Sequence, residues 1–101
     1  MAVISKVLFR GAATTSTGTT LYTTPAGTTA VVTNIVIENS STSAATFTMA
    51  LNAVPIASAV SIAANSVTVI DMKQVLPATQ TLTGGASTTA VDIHVSGVEI
   101  N

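Results

Sequence analysis

The stretch "LYTTPAGTTAVVTNIVIEN", Leu21 to Asn39, decides the fold class of this chain. Two β-prone runs rich in Thr, Val and Ile flank the sequence Pro25-Ala26-Gly27. Proline fixes φ at about −65° and glycine adopts the positive φ that other residues avoid, so this tripeptide is typical of a turn. The stretch therefore predicts a β-hairpin. Its second strand carries Val and Ile on both faces, which predicts a central strand buried partly on both sides.

The same pattern continues along all 101 residues. β-prone runs recur about every ten residues with Thr, Ser, Gly, Asn or Pro between them, whereas no window shows the apolar spacing of a helix. The sequence predicts strands at Val3–Phe9, Thr20–Thr23, Ala30–Glu38, Ala45–Ala53, Ile56–Ile62, Ser66–Met72, Thr79–Thr83 and Ala90–Ile100. We therefore expect one all-β domain over residues 1–101, an antiparallel β-sandwich (jelly-roll or immunoglobulin-like) of about eight short strands.

Alternation within the strands predicts which side chains face the core. Successive residues of a strand point to opposite faces, so every second residue shares a face. In the run Ala45–Ala53 one face is apolar throughout, with Phe47, Met49, Leu51 and Ala53. In the last run the apolar phase that begins at Val91 shifts by one residue beyond Gly97, to Val98. A β-bulge at Gly97 would keep both halves of this strand facing the core.

Three polar segments separate predicted strands. "GAATTSTGTT", Gly11–Thr20, has no side chain large enough to fix its shape by burial, so it is either a flexible loop or an arm that becomes ordered on a partner. "ENSSTSAAT", Glu38–Thr46, is typical of a hairpin turn. "TGGAST", Thr83–Thr88, predicts a glycine-rich turn. Because no helix is predicted after Gly84 and Gly85, this turn is not a phosphate-binding loop.

The low charge of the chain narrows the classes of partner. Three Lys or Arg, four Asp or Glu and one His give a net charge of −1. Nucleic acid requires a basic stripe and an anionic membrane requires clustered Lys and Arg, so we expect neither partner. The surface must consist largely of Thr, Ser, Asn and Ala, which suits packing against protein. With two Phe, one Tyr and no Trp, the core is made of small side chains, and we expect association with other subunits to supplement its stability.

The N-terminal run "MAVISKVLF" predicts a first strand. Lys6 interrupts it and Arg10 ends it, which makes the apolar run too short for a signal peptide or a membrane span. We therefore expect a non-secreted, non-membrane protein. The chain contains no Cys, so disulfide bonds and thiolate metal sites are excluded.

His94 is the one histidine, and Asp92 lies two residues before it on the same predicted face. A hydrolase triad needs a carboxylate bonded to the histidine, but neighbours at i and i+2 lie about 6–7 Å apart along a strand. A metal site at these two residues would need a third ligand, Asp71 or Glu99, from elsewhere in the chain. We therefore interpret His94 as a solvated or interface residue, and we expect no enzymatic activity, cofactor, bound metal or small-molecule substrate.

The candidate partner-contact residues follow from this interpretation. Phe9 and Arg10 end the first strand just before the polar segment, and an aromatic beside a cation is a common interface anchor, although Phe9 also fits a core position. Thr14 and Thr15 lie within the polar segment. Tyr22 is predicted at the edge of the core with its hydroxyl at the rim. The charges predicted at the rim of the sandwich are Glu38, Asp92, His94 and Glu99.

Three segments of the sequence together resemble one family. "LYTTPAGTTAVVTNIVIENSSTSAATFTMAL" from Leu21, "IAANSV" from Ile62 and the closing "VDIHVSGVEI" from Val91 are similar to sequences of small tailed-bacteriophage virion structural proteins. The resemblance extends from Thr20 to Ile100. This chain departs from the family pattern in its low charge and at Thr28, where many members carry Lys.

The resemblance implies a non-enzymatic β-sandwich component of the virion, assembled in the host cytoplasm. Members of the family serve as capsid decoration (cement) proteins or as tail and fibre proteins. For this chain the resemblance implies a decoration protein that binds the major capsid protein and copies of itself, as trimers at capsid symmetry axes. The segment up to Thr20 would then lie on the major capsid protein or on a neighbouring copy. The alternative is a tail or fibre domain that faces a receptor.

Overall fold

The computed structural model describes residues 2–101, which form eight β-strands and no helix. The strands are β1 (Val3–Ala12), β2 (Thr20–Thr23), β3 (Thr29–Asn39), β4 (Ala45–Leu51), β5 (Val54–Ile62), β6 (Ser66–Leu76), β7 (Thr81–Ala86) and β8 (Val91–Ile100). They build two four-stranded antiparallel sheets. Sheet I has the order β1-β8-β3-β6, and sheet II has the order β2-β7-β4-β5. The predicted antiparallel β-sandwich is confirmed.

The pairing of the strands distinguishes between the two predicted topologies. β1 pairs with β8, β2 with β7, β3 with β6 and β4 with β5. The chain therefore forms one long antiparallel ribbon with the β4–β5 hairpin at its tip. The ribbon is rolled up so that its strands form two sheets, and the additional pairs β3–β8 in sheet I and β4–β7 in sheet II hold the rolled ribbon together. This is the jelly-roll arrangement. Because β3 lies between β8 and β6, the prediction that it is a central strand is confirmed.

The turn at Pro25 to Gly27 is confirmed, but the hairpin predicted around it is wrong. Thr28 N donates to Pro25 O at 3.2 Å and Gly27 has a φ of 74°, which defines a type II turn. However, β2 belongs to sheet II and β3 to sheet I. Both sides of β3 are occupied by β8 and β6, so the turn is a corner between the sheets. The segment after β3 was predicted as a hairpin turn and is a second such corner, since β4 lies in sheet II.

The glycine-rich turn predicted at Thr83–Thr88 is also wrong, because Gly84 and Gly85 lie within strand β7. Neither glycine has a positive φ. Both glycines instead allow other groups to approach the strand closely. A Cβ on Gly84 would lie 2.4 Å from Met49 Sδ, and a Cβ on Gly85 would lie 2.3 Å from Ser16 O. Sequence alone does not separate these two uses of glycine, because close approach depends on which segment packs against the strand.

The β-bulge predicted in β8 at Gly97 lies instead in the two neighbouring strands. Burial in β8 alternates without interruption, and Gly97 and Glu99 occupy inner positions. The register shifts fall at Leu8 in β1 and at Thr33 in β3, which flank β8 on either side. The apolar pattern was misleading because a charged residue, Glu99, occupies an inner position and leaves Val98 on the outer face.

The core lies between the inner faces of the two sheets. Phe47, Met49 and Leu51 of β4 are buried as predicted, whereas Ala53 is exposed because β4 ends at Leu51. Of the side chains with less than 2% exposure, the largest hydrophobic ones are Phe47, Ile35, Ile37, Met49, Ile62, Leu76, Leu82 and Ile93. Both sheets contribute to this set, so the core holds them together by burial of apolar surface.

The β4–β5 turn provides a stability prediction. Asn52 and Ala53 have φ values of 50° and 64°, as a two-residue type I′ hairpin requires, but Ala is strained in this left-handed region. We expect Ala53→Gly to raise the free energy of unfolding by about 0.5–1 kcal/mol in urea titrations with an unchanged m value. The matched control, Ala26→Gly, lies in a turn at a residue without positive φ and is expected to lower stability. A lower stability of Ala53→Gly would contradict the turn geometry.

Candidate partner-binding surface

The structure brings four of the predicted contact residues together on the outer face of sheet I. Arg10 of β1 lies opposite His94 of β8, and Asp92 of β8 lies opposite Glu38 of β3. In β8 the even-numbered residues alternate with buried ones, so Asp92 and His94 point away from the core. We call these four residues the charged end of sheet I. The sequence predicted their exposure, but the strand register was needed to place them together.

The geometry at His94 differs from that of a catalytic histidine. Arg10 Nε donates to His94 Nδ1 at 3.1 Å, so this ring nitrogen acts as an acceptor. In a hydrolase triad this nitrogen instead donates to a carboxylate, which orients the ring. The guanidinium takes the position that a carboxylate would need. The arrangement therefore presents an exposed polar pair rather than an oriented base.

Glu38 and Asp92 place two carboxylates directly opposite each other on neighbouring strands. Like charges in this position are destabilising. One of the two carboxylates has a hydrogen-bond donor, because Ser40 Oγ donates to Glu38 Oε1 at 2.6 Å. Among residues 2–101 no group of three His, Cys, Asp or Glu side chains is placed to hold a metal ion. Glu99 does not lie beside Asp92 and His94 as the third ligand considered, because it is buried on the inner face. The pair instead forms an acidic patch on the outer face of sheet I.

Phe9 does not join the charged end. The irregularity at Leu8 turns Phe9 inward, where the ring packs against the edge of the core. The ring also lies beside Gly11, since a Cβ on that residue would be 3.4 Å from Phe9 Cζ. The core position that the sequence left open for Phe9 is therefore the observed one. Arg10 alone of this pair lies on the outer face.

The polar segment between β1 and β2 is held against the body of the domain. Gly11 and Ala12 continue β1, and Thr20 begins β2, so the connecting loop is shorter than the predicted segment. Ala86 N donates to Thr14 O and Gly84 N donates to Thr19 O, each at 2.9 Å. The hydroxyls of Thr14 and Thr19 lie 2.6 Å apart. The side chains of Thr14 and Thr15 are exposed, and the loop starts beside the charged end because Ala12 pairs with Asp92.

The opposite end of the same outer face is apolar. Val98 lies between Val31 of β3 and Ser5 of β1, and Ile100 lies opposite Val3. Val3 is 61% exposed and Val75 of β6 is 59% exposed. We call Val3, Val31, Val75, Val98 and Ile100 the apolar end of sheet I. Contiguous exposed apolar patches, unlike single exposed apolar side chains, often mark interaction sites. This end was not predicted from the sequence, because the bulge predicted at Gly97 placed Val98 and Ile100 on the core face.

Glu99 forms an internal cluster with Tyr22 and Lys6. Its carboxylate is paired with Lys6 Nζ at 3.2 Å and accepts a hydrogen bond from the hydroxyl of Tyr22. Glu99 is 8% exposed, so its prediction as a rim charge is wrong. Because Tyr22 lies on β2 and Glu99 on β8, the bond connects sheet II to sheet I. Tyr22 packs at the edge of the core, as predicted.

The pKa values of this cluster are shifted in opposite directions. The hydrogen bond from Tyr22 lowers the pKa of Glu99 from 4.5, assisted by Lys6 and opposed by burial. Burial raises the pKa of Tyr22 well above its usual range, and the carboxylate of Glu99 adds to this increase. Both shifts correspond to the same favoured protonation state, in which an ionised Glu99 accepts a hydrogen bond from a neutral Tyr22.

The pH dependence of stability tests this cluster. Since the pKa of Glu99 is lowered in the folded chain, its contribution is present above the ordinary value of 4.5 and is lost as the pH falls through the folded pKa. We expect the free energy of unfolding, from urea titrations between about pH 7 and pH 3, to decrease in acid, and to decrease less in Glu99→Gln. Asp92→Asn leaves the cluster intact and is the matched control. Equal acid sensitivity of wild type and Glu99→Gln would contradict this role.

A scan against protein-family models finds no match to this chain, and a search of curated proteins finds no similar sequence. Among residues 2–101 the structure contains no helix that is long and apolar enough to cross a membrane.

Proposed function

We propose that this chain is a non-enzymatic structural protein of a tailed-bacteriophage particle, and specifically a capsid decoration (cement) protein. It binds the major capsid protein and copies of itself, as trimers at the symmetry axes of the shell, and stabilises the head of the virion. It joins the particle in the host cytoplasm. Its function requires no cofactor, metal, nucleic acid, membrane or small-molecule substrate.

The observation that carries this proposal is the apolar end of sheet I. Val3 and Val75 of this end are more than half exposed. The chain has three basic and four acidic residues, so few charges surround these apolar side chains. Each Å² of apolar surface removed from water contributes about 25 cal/mol, so covering this surface with protein is favourable. Seven further large apolar side chains are exposed elsewhere, including Val54 on β5 and Val69 on β6. Such a surface suits a subunit whose working state is assembled.

The charged end and the adjoining loop support the capsid as a partner. Glu38 and Asp92 form a pair of carboxylates on neighbouring strands. Arg10 lies at the same end and donates a hydrogen bond to His94. The loop with Thr14 starts at the same end of the domain. Charges at the rim of an interface set orientation and partner choice, while apolar contacts supply affinity. One outer face thus carries both kinds of contact.

A deletion and add-back experiment tests the proposal. Particles assembled without this chain are expected to release DNA at a lower temperature, as followed by dye fluorescence, and to regain the original release temperature when purified protein is added. Val3→Asp is expected to fail in add-back because it charges the apolar end. Val54→Asp is the matched control, since Val54 is 64% exposed but lies on β5 of sheet II. An unchanged release temperature in the deleted particles would contradict the decoration role.

The second candidate is a tail or fibre domain. The domain is elongated, with extents of 46 × 21 × 18 Å, which suits a spacer or knob in an extended assembly. In that case the deletion would abolish adsorption to host cells and leave the heat resistance of the heads unchanged. The same deleted particles therefore distinguish the two candidates.

A further inference from the structure

The four edge strands of the two sheets differ in how well they are protected from pairing with another chain. β2 is four residues long, β1 is irregular at Leu8, and β5 contains Pro55 and the positive φ of Ala59. Short strands, irregularities and proline are the usual protection of a sheet edge. β6 is eleven residues long and has neither proline nor positive φ. Its register against β3 shifts at Met72 and Lys73, but exposed and less exposed residues of β6 still alternate through this point. Among residues 2–101 its one strand partner is β3, so its other edge is open.

The outward residues of β6 are complementary to themselves. In "SVTVIDMKQVL" the odd-numbered residues are exposed and share the outer face of sheet I. A two-fold axis at Met72 would place two β6 strands side by side in antiparallel orientation. Asp71 of each copy then lies opposite Lys73 of the other, and Val69 lies opposite Val75. Opposite charges and β-branched pairs in these positions stabilise a sheet.

The two charges also select this register over its neighbours. An axis at Asp71 would place two carboxylates opposite each other, and an axis at Lys73 would place two ammonium groups opposite each other. Like charges directly opposite are destabilising. An axis at Met72 is the position between these two, and it forms both ion pairs at once. It also joins Val69 and Val75, which are 55% and 59% exposed in the single chain.

We propose that β6 of one chain pairs with β6 of a second copy around a two-fold axis at Met72, which joins two copies of sheet I into one eight-stranded sheet. This contact goes beyond the proposed function and does not depend on it. Where trimers form through other surfaces, the β6 contact joins one trimer to the next. The contact satisfies the open backbone edge of β6 and covers its exposed Val residues.

Charge reversal tests the pairing in purified full-length protein. Asp71→Lys and Lys73→Asp each place like charges opposite each other twice in a symmetric pair. We expect each variant to weaken self-association at least about tenfold in analytical ultracentrifugation. The double variant Asp71→Lys/Lys73→Asp restores both ion pairs and is expected to associate as the wild type does. An equimolar mixture of the two single variants is expected to associate too, because each ion pair then forms between unlike chains.

The oligomer mass separates this contact from the proposed trimer. The 10.1 kDa chain is expected to form assemblies with an even number of copies that dissociate in the single variants and reform in the mixture. Both residues are exposed on β6, so the variants are expected to keep the circular dichroism spectrum of the wild type. A monomer at all concentrations, or an oligomer that neither single variant weakens, would overturn the β6 pairing. A trimer unaffected by either variant would overturn it while leaving the proposed decoration role intact.

Discussion

Asn39→Asp is expected to lower the free energy of unfolding by about 3–5 kcal/mol at neutral pH. Asn39 ends β3 and is fully buried. Its Nδ2 donates to the carbonyl oxygens of Ser43, Ile62 and Ala63 at 2.9, 3.3 and 3.3 Å. Its Oδ1 accepts from the backbone N and the hydroxyl of Ser41 at 3.0 and 2.9 Å. A carboxylate in this position would direct a negative oxygen at three carbonyl groups.

The size of this effect follows from the lack of an alternative partner. A buried charge without a counter-ion costs several kcal/mol. This is a large part of the roughly 5–15 kcal/mol by which whole domains are stable. If the wild type lies near the lower limit, the variant is therefore expected to be largely unfolded at room temperature. Thermal unfolding and urea titration of the wild type and the variant provide the measurement. Asn65→Asp is the matched control, because Asn65 is exposed in the β5–β6 turn and Asp tolerates its positive φ of 52° as Asn does, so the expected change in stability is less than about 0.5 kcal/mol.

The pH dependence of Asn39→Asp has a predictable sign. Burial and the three carbonyl oxygens would raise the folded pKa of the new carboxyl above its unfolded value of about 3.9. The stability of the variant is therefore greatest below that value and is lost as the pH rises through the folded pKa. The difference from the wild type should shrink in acid. A difference that is constant with pH would contradict the burial of an unpaired carboxylate.

Gly97→Ala has the second large expected effect. A Cβ on Gly97 would lie 2.3 Å from Val31 O and 2.8 Å from Leu8 Cδ1. Val31 O belongs to the backbone of β3, so the clash cannot be relieved by rotating a side chain. Separation of β8 from β3 would break the pairing at the centre of sheet I. We expect a loss of about 3 kcal/mol or more in the free energy of unfolding.

The control for this prediction is Gly18→Ala. No atom lies within 4 Å of a Cβ on Gly18, and its φ is not positive. Replacing a glycine in a compatible conformation restricts the unfolded chain, so stability is expected to remain unchanged or to rise by up to about 1 kcal/mol. Equal urea midpoints for Gly97→Ala and wild type would show that β8 and its neighbours do not approach as closely as the structure indicates.

Much of the fold could be predicted from alternation and turn residues. These signals are local, and they located all eight strands within a few residues of their observed bounds. They also identified the turn at Pro25 and Gly27. They did not predict whether a turn forms a hairpin or a corner between sheets, because that depends on which strand pairs with which. β3 is flanked by β8, whose sequence lies more than fifty residues further along the chain.

The errors of sequence analysis concern residues that serve tertiary contacts. Gly84, Gly85 and Gly97 were interpreted as turn or bulge residues, but each is needed where another segment comes close. The apolar pattern beyond Gly97 placed Glu99 at the rim, but its carboxylate is buried and accepts a hydrogen bond from Tyr22 of the opposite sheet. No local sequence pattern reveals which segment approaches these glycines or that Tyr22 lies beside Glu99.

The candidate surface could be predicted in part. Exposure of Glu38, Asp92 and His94 follows from alternation, but their position beside Arg10 follows from the register of three strands. The apolar end was not predicted, because the apolar pattern of Val98 and Ile100 favoured the core face, whereas Glu99 between them occupies the inner position. The complementarity of Asp71 and Lys73 becomes apparent once β6 is known to be an open edge.

A cryo-EM map of the intact virion would show whether this chain is a component of the phage head, as we propose. We expect density for the eight-stranded jelly roll on the outer surface of the head, with the apolar end of sheet I covered by the major capsid protein or by another copy. Heads without this density, together with jelly-roll density on the tail or nowhere on the particle, would contradict it.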